Sequence, residues 1–340
     1  MLVRREAQRG FLTYHLASGD KDWRGMTRFV LRRLIALIAI LFCISVGAFF
    51  LIHLLPGDPT VTILGPNDTP ENRNALLKEL GLNLPLWQQY LTWIWNVLQG
   101  NLGQSFITHQ SVSKIISSAF PIDLELIILS QIMALGFSIP LAIASARRPN
   151  GLLDRASTTT SFGMLAIPPF ILIVVLVLLF SIHLHIFPGP GSYVPFQQDP
   201  ISNLHTMILP AIVLMVGSTT IYFRLLRADL IATLQQDFIT VARSKGLSDR
   251  YIMWRHALRP SSLSLLASAG LNISGLVAGA FVVEYLLAIP GLGFELVNSI
   301  QQVDYLSVQS ITLFVAVVIV LINFIIDFLF TVVDPRIARE

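Results

Sequence analysis

Residues 34–55, LIALIAILFCISVGAFFLIHLL, form an apolar run without a single Asp, Glu, Lys or Arg. An α-helix rises about 1.5 Å per residue, so this run would form a helix about 33 Å long. The hydrocarbon core of a bilayer is about 30 Å thick. The run therefore predicts a membrane-spanning helix.

The composition of the whole chain agrees with this prediction. Of its 340 residues, 54% are hydrophobic and 13% are charged, whereas a soluble domain carries about 25% charged residues. This composition excludes a soluble enzyme built around one large core. Five further uncharged runs follow, at residues 126–146, 157–182, 207–223, 261–283 and 306–326. The sequence therefore predicts an all-α polytopic membrane protein with six transmembrane helices.

The basic residues are distributed unevenly between the loops. If the N-terminus is cytoplasmic, only Arg73, Lys78 and Lys114 lie outside, and the other 20 of the 23 Lys and Arg residues lie inside. Cytoplasmic loops of membrane proteins carry such an excess. We therefore expect both termini in the cytoplasm. The net charge of +3 then follows from topology and does not indicate a nucleic-acid-binding surface.

The apolar runs divide the chain into four segments. We expect residues 1–25 to form an N-terminal cytoplasmic extension, to which the sequence assigns no function. A basic lead-in and the first transmembrane helix occupy residues 26–55, and an extracytoplasmic helical insertion occupies residues 56–122. Residues 123–340 form the membrane core with transmembrane helices two to six.

The insertion is predicted to contain two helices, at residues 71–80 and 86–98. The second helix holds three of the chain's five tryptophans, Trp87, Trp93 and Trp95. Indole rings favour the headgroup layer of a bilayer, but they also form the aromatic core of small packed subdomains. The sequence leaves both interpretations open.

The long cytoplasmic loop, residues 224–260, has a helix–glycine–helix pattern. A helix that begins near Asp229 is predicted by four apolar residues that recur every three or four positions, Leu230, Leu234, Phe238 and Val241. Gly246 interrupts this helix, and Ser248 can cap a second one over residues 249–258. Such a unit suits docking into a groove of a cytoplasmic partner. An ordinary amphipathic helix in a positively charged loop fits the pattern as well.

Sequence motifs for catalysis are absent. The chain has no Gly-x-x-x-x-Gly-Lys-Ser/Thr phosphate loop, no His-Glu-x-x-His zinc motif, and no set of serine, histidine and acid typical of hydrolases. We therefore expect no catalytic residue, no metal site and no ATP hydrolysis by this chain.

Four polar residues in or beside the spans are candidates for a translocation path: Asn272, Glu284, Asn323 and Asp327. Burying such groups in a membrane is costly unless they are paired or hydrated. Asn323 and Asp327 lie four residues apart and therefore share one helix face. These residues either line a hydrated pathway or form hydrogen bonds between helices. For Glu284 and Asp327, proximity to the membrane interface is a further explanation.

The cytoplasmic loop also carries the pattern of a known family. Its segments DFITVARSKGLS (residues 237–248) and RHALRP (residues 255–260) resemble the Glu-Ala-Ala motif of ABC-importer permeases. Gly246 matches the glycine of that motif, Ala242 its second alanine and Leu258 its late leucine. The peptide-permease branch has the form Ala-Arg-x-Lys-Gly-Leu followed by Arg-His-Ala-Leu-Arg, which this sequence shares.

Two positions depart from the general motif. Thr240 stands where the motif has glutamate, and Arg259 stands where it has proline, with Pro260 one place later. The resemblance implies that an ATPase subunit is contacted by residues of this loop, namely Asp237, Ala242, Arg243, Gly246, Leu247, Arg255 and His256.

Three further stretches resemble the permease family, and the first of them resembles the B-type permease of dipeptide and oligopeptide importers. They are LPGDP at 55–59 with GNLGQSF at 100–106, EYLLAIPGLG at 284–293, and Asn323 and Asp327 with DPR at 334–336. Leu287 replaces the usual phenylalanine, and Phe330 stands where tyrosine is common. The resemblance covers roughly residues 26–340 and makes residues 123–340 a permease core.

The resemblance implies one of two membrane subunits of an ATP-driven, binding-protein-dependent peptide importer in the bacterial plasma membrane. The implied partners are a C-type permease, cytoplasmic ATPase subunits that hold ATP and Mg, an extracytoplasmic peptide-binding protein and membrane lipid; the chain itself would hold no cofactor. Within the family, nickel, glutathione or a sugar are alternative cargoes. From another class, a stand-alone proton-coupled secondary transporter would use Asp327 and Glu284, although no inverted-repeat pattern supports it.

Overall fold

The computed structural model describes residues 35–50, 60, 64–65, 68–79 and 81–333. The predictions for residues 1–34, for LPGDP at 55–59 and for DPR at 334–336 fall outside these described residues. The described helices, in chain order, are α1 (Ile35–Phe50), α2 (Pro70–Glu79), α3 (Leu86–Leu98), α4 (Val112–Arg147), α5 (Leu152–Leu165), α6 (Pro169–His183), α7 (Pro200–Leu234), α8 (Asp237–Ser244), α9 (Asp249–Leu287), α10 (Leu292–Gln301) and α11 (Tyr305–Val333).

The described residues fall into two compact units. One unit holds α1 and the part of α11 from Leu313 onward, and the other holds α2 to α10 with the first turns of α11. No strand occurs in the described part of the chain, where one isolated bridge joins Gln104 and Ser111. The predicted all-α class is confirmed.

Four helices are long and apolar enough to cross a bilayer: α4, α7, α9, and α11 over Tyr305–Ile326. They contain the predicted second, fourth, fifth and sixth spans. The helices α4 and α7 are 36 and 35 residues long, so they extend well beyond the apolar runs that predicted them. The first span is described only over α1, because residues 51–55 of the predicted run lie outside the described part.

The third predicted span, 157–182, is not one continuous helix. It consists of α5 and α6, whose axes meet at an angle of 104°. Between them, Pro168 has an extended backbone (ψ 139°) and Pro169 is the first residue of α6. A proline disfavours the helical conformation of the residue before it, so two consecutive prolines end α5 and start a new helix in another direction.

The helices α4, α7 and α9 form the core of the larger unit. Ala134, Ala142 and Ala146 on α4 are buried, and such small side chains allow helix backbones to approach closely in a membrane. The residues packed against them come from α7 and α9: Tyr222, Phe223, Leu226, Leu230, Met253, Ala257, Leu265 and Ala269.

A partly buried ion pair connects α5 to α7. Arg227 Nη2 lies 2.6 Å from Asp154 Oδ2, and Arg227 Nε contacts the other carboxylate oxygen. The backbone N–H of Asn150 donates to the same carboxylate at 2.8 Å. Asp154 is buried, so the bidentate guanidinium provides the partner that a buried charge requires.

The insertion folds onto the beginning of α11. Its two predicted helices are confirmed as α2 and α3, the latter with the predicted bounds. After α3, the carbonyl of Leu102 accepts a hydrogen bond from Ser310 Oγ at 2.9 Å, and Gly103 packs against Leu306. The N–H of Phe106 donates to Asp304 Oδ1 at 3.3 Å. The GNLGQSF stretch therefore holds the insertion against the first turns of the last helix.

Candidate functional site

The predicted helix–glycine–helix unit is present, but its helices have other bounds. The helix predicted to begin near Asp229 is the end of α7, which continues to Leu234, followed by the separate helix α8. Gln235 and Gln236 separate the two, and Gln236 has an extended backbone (ψ 150°). The prediction of one helix with a single apolar face across this region was therefore wrong.

The second helix of the unit does not end at residue 258. It begins at Asp249 and continues as α9 to Leu287, passing Pro260 without a break. Residues Ile252–Ala257 have the wider π-helical hydrogen-bonding pattern, and α-helical bonding resumes at Leu258. Because Pro260 lacks an N–H group, it is tolerated close to this change of pattern, where the regular bonds are already interrupted.

Gly246 occupies the position that ends α8. Its N–H donates to the carbonyl of Arg243 at 2.9 Å, and the N–H of Leu247 donates to the carbonyl of Ala242 at 3.3 Å. These two bonds form a Schellman motif, which requires a left-handed residue, and Gly246 has φ 76°. Ser248 then accepts the N–H of Tyr251 through its Oγ, as its predicted capping role requires. The glycine of the motif is thus the residue that turns the chain from α8 into α9.

One side of this unit is buried and the other is exposed. Ile239, Ala242 and Ile252 are buried together beneath Leu234. The exposed side carries five large apolar side chains, Phe238, Val241, Leu247, Tyr251 and Trp254, which we call the coupling surface. The predicted apolar stripe is therefore divided, with Leu230 and Leu234 packed inside and Phe238 and Val241 in contact with solvent.

A basic groove of about 680 Å³ adjoins the coupling surface. It is lined by four arginines, Arg147 and Arg148 at the end of α4, Arg243 on α8 and Arg250 on α9, with Asp249, Trp254 and apolar residues of α4. Arg243 Nε lies 3.5 Å from Asp249 Oδ1, and both side chains are exposed. Arg255 is exposed, while His256 is half-buried with its ring 5.6 Å from that of Tyr251. Asp237, in the first turn of α8, is exposed as well.

Asn272 takes part in hydrogen bonds between helices. Its Nδ2 donates to Ser218 Oγ at 2.6 Å and to Tyr222 Oη at 3.0 Å, both on α7. The Tyr222 hydroxyl in turn donates to Gln131 Oε1 on α4 at 2.9 Å, and Gln131 Nε2 donates to the carbonyl of Ala269 at 3.2 Å. The network connects the three core helices. Asn272 therefore forms hydrogen bonds between helices, which is one of the two roles predicted for it.

Glu284 is fully buried and has a carboxyl neighbour that the sequence did not indicate. Its Oε2 accepts the N–H of Gly293 at 2.8 Å, and Asp123 Oδ1 accepts the N–H of Leu292 at 2.8 Å. Both carboxyl groups lie against the first turn of α10, whose free N–H groups favour acidic partners. Glu295, half-buried in the same turn, has its pKa raised by burial.

Gly291 makes this arrangement of the two carboxyl groups possible. A Cβ atom built on it would lie 2.6 Å from Asp123 Oδ1 and would overlap Glu284 Oε2. Gly293 is similarly constrained, because its Cβ would lie 2.7 Å from that of Phe281. The two glycines of the Pro-Gly-Leu-Gly stretch are therefore required by close packing, Gly291 against the two acids and Gly293 against Phe281.

The other two candidates for the translocation path lie on α11. Asn323 and Asp327 are one turn apart in this helix, as predicted, and they belong to the smaller unit. The residues that the sequence analysis did not select are Asp123, Gln131, Asp154, Tyr222 and Arg227. Each acts through a partner on another helix, so its own position in the sequence carried no signal.

Comparison with known proteins identifies the family of the chain. Residues 138–339 match the family described as binding-protein-dependent transport system inner membrane component, and residues 26–127 match the N-terminal part of such components. The chain belongs to this family. The resemblance found in its cytoplasmic loop is thereby confirmed, and this inner membrane component is a multi-pass membrane protein.

Several relatives of this inner membrane component cover nearly its whole length. It is 35% identical to the oligopeptide transport system permease protein AppB of Bacillus subtilis, over 92% of this chain and 99% of the relative. It is 34% identical to a putative peptide transport system permease protein of Brucella abortus, over 93% and 100%. It is 33% identical to the dipeptide transport system permease protein DppB of Escherichia coli, over 93% and 100%.

Gly291→Ala is expected to destabilise this inner membrane component, because the added methyl group would overlap the two carboxyl groups. Such overpacking costs about 1–3 kcal/mol. The matched control is Gly275→Ala on α9, where a Cβ would meet only Asn272 Oδ1 at an ordinary 3.8 Å. Thermal unfolding of the detergent-purified variants measures the difference. Equal melting temperatures for the two variants would contradict the packing described here.

Proposed function

We propose that the chain is one of two permease subunits of an ATP-driven importer that carries dipeptides or oligopeptides across the plasma membrane. The names of the relatives support a peptide cargo. A second permease, cytoplasmic ATPase subunits and an extracytoplasmic binding protein complete the importer. ATP and Mg bind to the ATPase subunits, and this chain is not an enzyme.

The coupling surface is the observation that carries the proposal. Five large apolar side chains are exposed on one helix–glycine–helix unit, next to a groove lined by four arginines, and several exposed large apolar side chains rimmed by charged residues are typical of an interaction site. In the proposed topology this end of the protein is cytoplasmic, because it holds the basic residues. The partner that fits is an ATPase subunit with an apolar groove and an acidic rim. Asp237, Arg255 and His256 lie on the same unit and complete the proposed contact.

The helix α9 connects the coupling surface with the opposite membrane face. It runs from Asp249 to Leu287 as a continuous helix of 39 residues, which corresponds to about 58 Å. Glu284 lies near its far end, where the two acids hold the first turn of α10. A movement imposed on α8 and the start of α9 by ATP-driven closure of the ATPase would therefore be transmitted across the membrane. The ATPase must bind the two permease states with different affinity for this to do work.

Arg243→Glu and Gly246→Arg are expected to release or uncouple the ATPase while leaving membrane insertion intact. A Cβ on Gly246 would meet no atom within 4 Å, so the new side chain points into the space that the partner would fill. Its left-handed backbone adds about 1–2 kcal/mol of strain for any other residue. The control is Arg155→Glu, an exposed charge reversal outside the groove. The measurements are co-purification of the ATPase and the stimulation of its ATP hydrolysis by the peptide-loaded binding protein. Wild-type values for both would refute the assignment of this surface.

Uptake by the assembled importer in liposomes tests the proposed function itself. We expect a labelled dipeptide or tripeptide to accumulate only with the second permease, the ATPase, the binding protein and hydrolysable ATP. Competition by nickel, glutathione or a sugar in place of unlabelled peptide would assign another cargo. Accumulation driven by a proton gradient through this chain alone would overturn the proposal in favour of a secondary transporter.

Asn323 and Asp327 are proposed to border the path of the peptide, whereas Asn272 and Glu284 are bonded to partners inside the helix bundle. The shared face of the first two on α11 supports this role. Alanine at both Asn323 and Asp327 is expected to reduce peptide uptake at an unchanged level of assembled complex. The same double substitution should leave co-purification of the ATPase unaffected. Unchanged uptake would show that these two residues do not contribute to transport.

A further inference from the structure

Helix α3 presents an apolar face that no described residue covers. Trp87, Leu91, Trp95 and Leu98 follow one another at intervals of four, four and three residues, so they share one side of the helix. Their side chains are 61%, 53%, 62% and 74% exposed. We call these four residues the Trp–Leu face.

The rest of the helix surface differs from this face. On the opposite side Trp93 is only 7% exposed, with its ring 6.2 Å from that of Tyr90. Between the two sides lies a strip of uncharged polar residues, Gln88, Thr92 and Asn96. None of the 13 residues of α3 is charged. A helix with one protein-facing side, one uncharged polar strip and one bare apolar side is typical of a helix that lies in a membrane interface.

The connection of α3 to α11 fixes its position along the membrane normal. Only four residues lead from Leu98 to Leu102, a distance of at most about 14 Å. Leu102 is hydrogen-bonded to Ser310, and Gly103 packs against Leu306. Both partners lie in the first turns of the membrane-spanning part of α11, which begins at Tyr305. The C-terminal end of α3 is therefore held within about 14 Å of Leu102, which contacts the first turns of that span.

We propose that α3 is an interfacial helix whose Trp–Leu face lies in the headgroup and upper acyl region of the lipid bilayer. Tryptophan is enriched at this depth because its ring combines a large apolar surface with one N–H donor. Leu91 lies between the two indoles and Leu98 lies beyond Trp95, and both leucines contact acyl chains. The lipid contact rests on the position of α3 relative to α11, and only the assignment to the outer leaflet rests on the proposed topology. Helix α3 thereby anchors the insertion at the membrane surface without crossing the bilayer.

Single-tryptophan variants of the chain, assembled in nanodiscs with partner subunits whose own tryptophans are replaced by phenylalanine, test the proposal. In each variant one of Trp87, Trp93 and Trp95 is retained and the other tryptophans of the chain are replaced by phenylalanine. Phospholipids with brominated acyl chains should quench the emission of Trp87 and Trp95 several-fold more than that of Trp93, the matched control on the same helix. Aqueous iodide should quench all three weakly.

Two other results would overturn the proposal. Strong quenching of Trp87 and Trp95 by iodide, with no effect of brominated lipid, would place the face in water. Quenching by neither reagent in the assembled importer, but by iodide in the isolated chain, would show that a protein subunit covers the face.

A spin-label pair provides an independent measurement that retains all tryptophans. Two variants are made with Cys43 replaced by serine, one with Leu91→Cys and one with Thr92→Cys. Each carries a single nitroxide, and the two labelled residues are exposed neighbours that point about 100° apart. We expect relaxation by molecular oxygen to dominate at position 91 and relaxation by a water-soluble nickel complex to dominate at position 92. Equal access of the nickel complex to both labels would refute the lipid contact.

Discussion

The hydrocarbon of a bilayer offers no hydrogen-bond partner, and this constraint determines most of what the described helices do. A polar group within a span is costly unless it is satisfied inside the protein. Ser130, Ser161 and Thr220 therefore donate to carbonyls three or four residues earlier in their own helices. Longer polar side chains, such as Asn272 and Gln131, reach partners on neighbouring helices. The same groups that are costly in lipid thus become the connections between α4, α7 and α9.

The sequence predicted those parts of the fold that depend on one segment at a time. Uninterrupted apolar runs located four long helices, and the bounds predicted for α3 agree with those observed. The break between α5 and α6 was not predicted, because hydropathy continues smoothly across Pro168 and Pro169 while backbone conformation does not. The face of α8 was assigned wrongly for a related reason. A helical periodicity holds only within one helix, and the phase is lost at Gln235 and Gln236.

In the candidate site, too, local features could be predicted from the sequence and long-range features could not. The roles of Gly246 and Ser248 were predictable because a glycine C-cap and a serine N-cap act on their own chain neighbours. The basic groove was not predictable, since Arg147 and Arg148 reach Arg243 and Arg250 only after α4 and α7 pack together. Asp123 and Leu292 are 169 residues apart, and Asp154 and Arg227 are 73 apart. Pairing across such separations is a property of the assembled bundle, which no local pattern contains.

The π-helical stretch Ile252–Ala257 lies between the two functional ends of α9. A π-turn holds one residue more than an α-turn, so this stretch stores a single extra residue. Deleting one residue there would convert it to regular α-helix with nearly the same number of turns, so the residues on either side would keep their relative facing. Tyr251 would then stay on the coupling surface, whereas a deletion in the regular α-helical part of α9 would rotate one side of the helix against the other by about 100°. The π-helical stretch is therefore a place where the segment between the glycine of the loop and the proline at 260 can lose one residue without turning the coupling surface relative to the span.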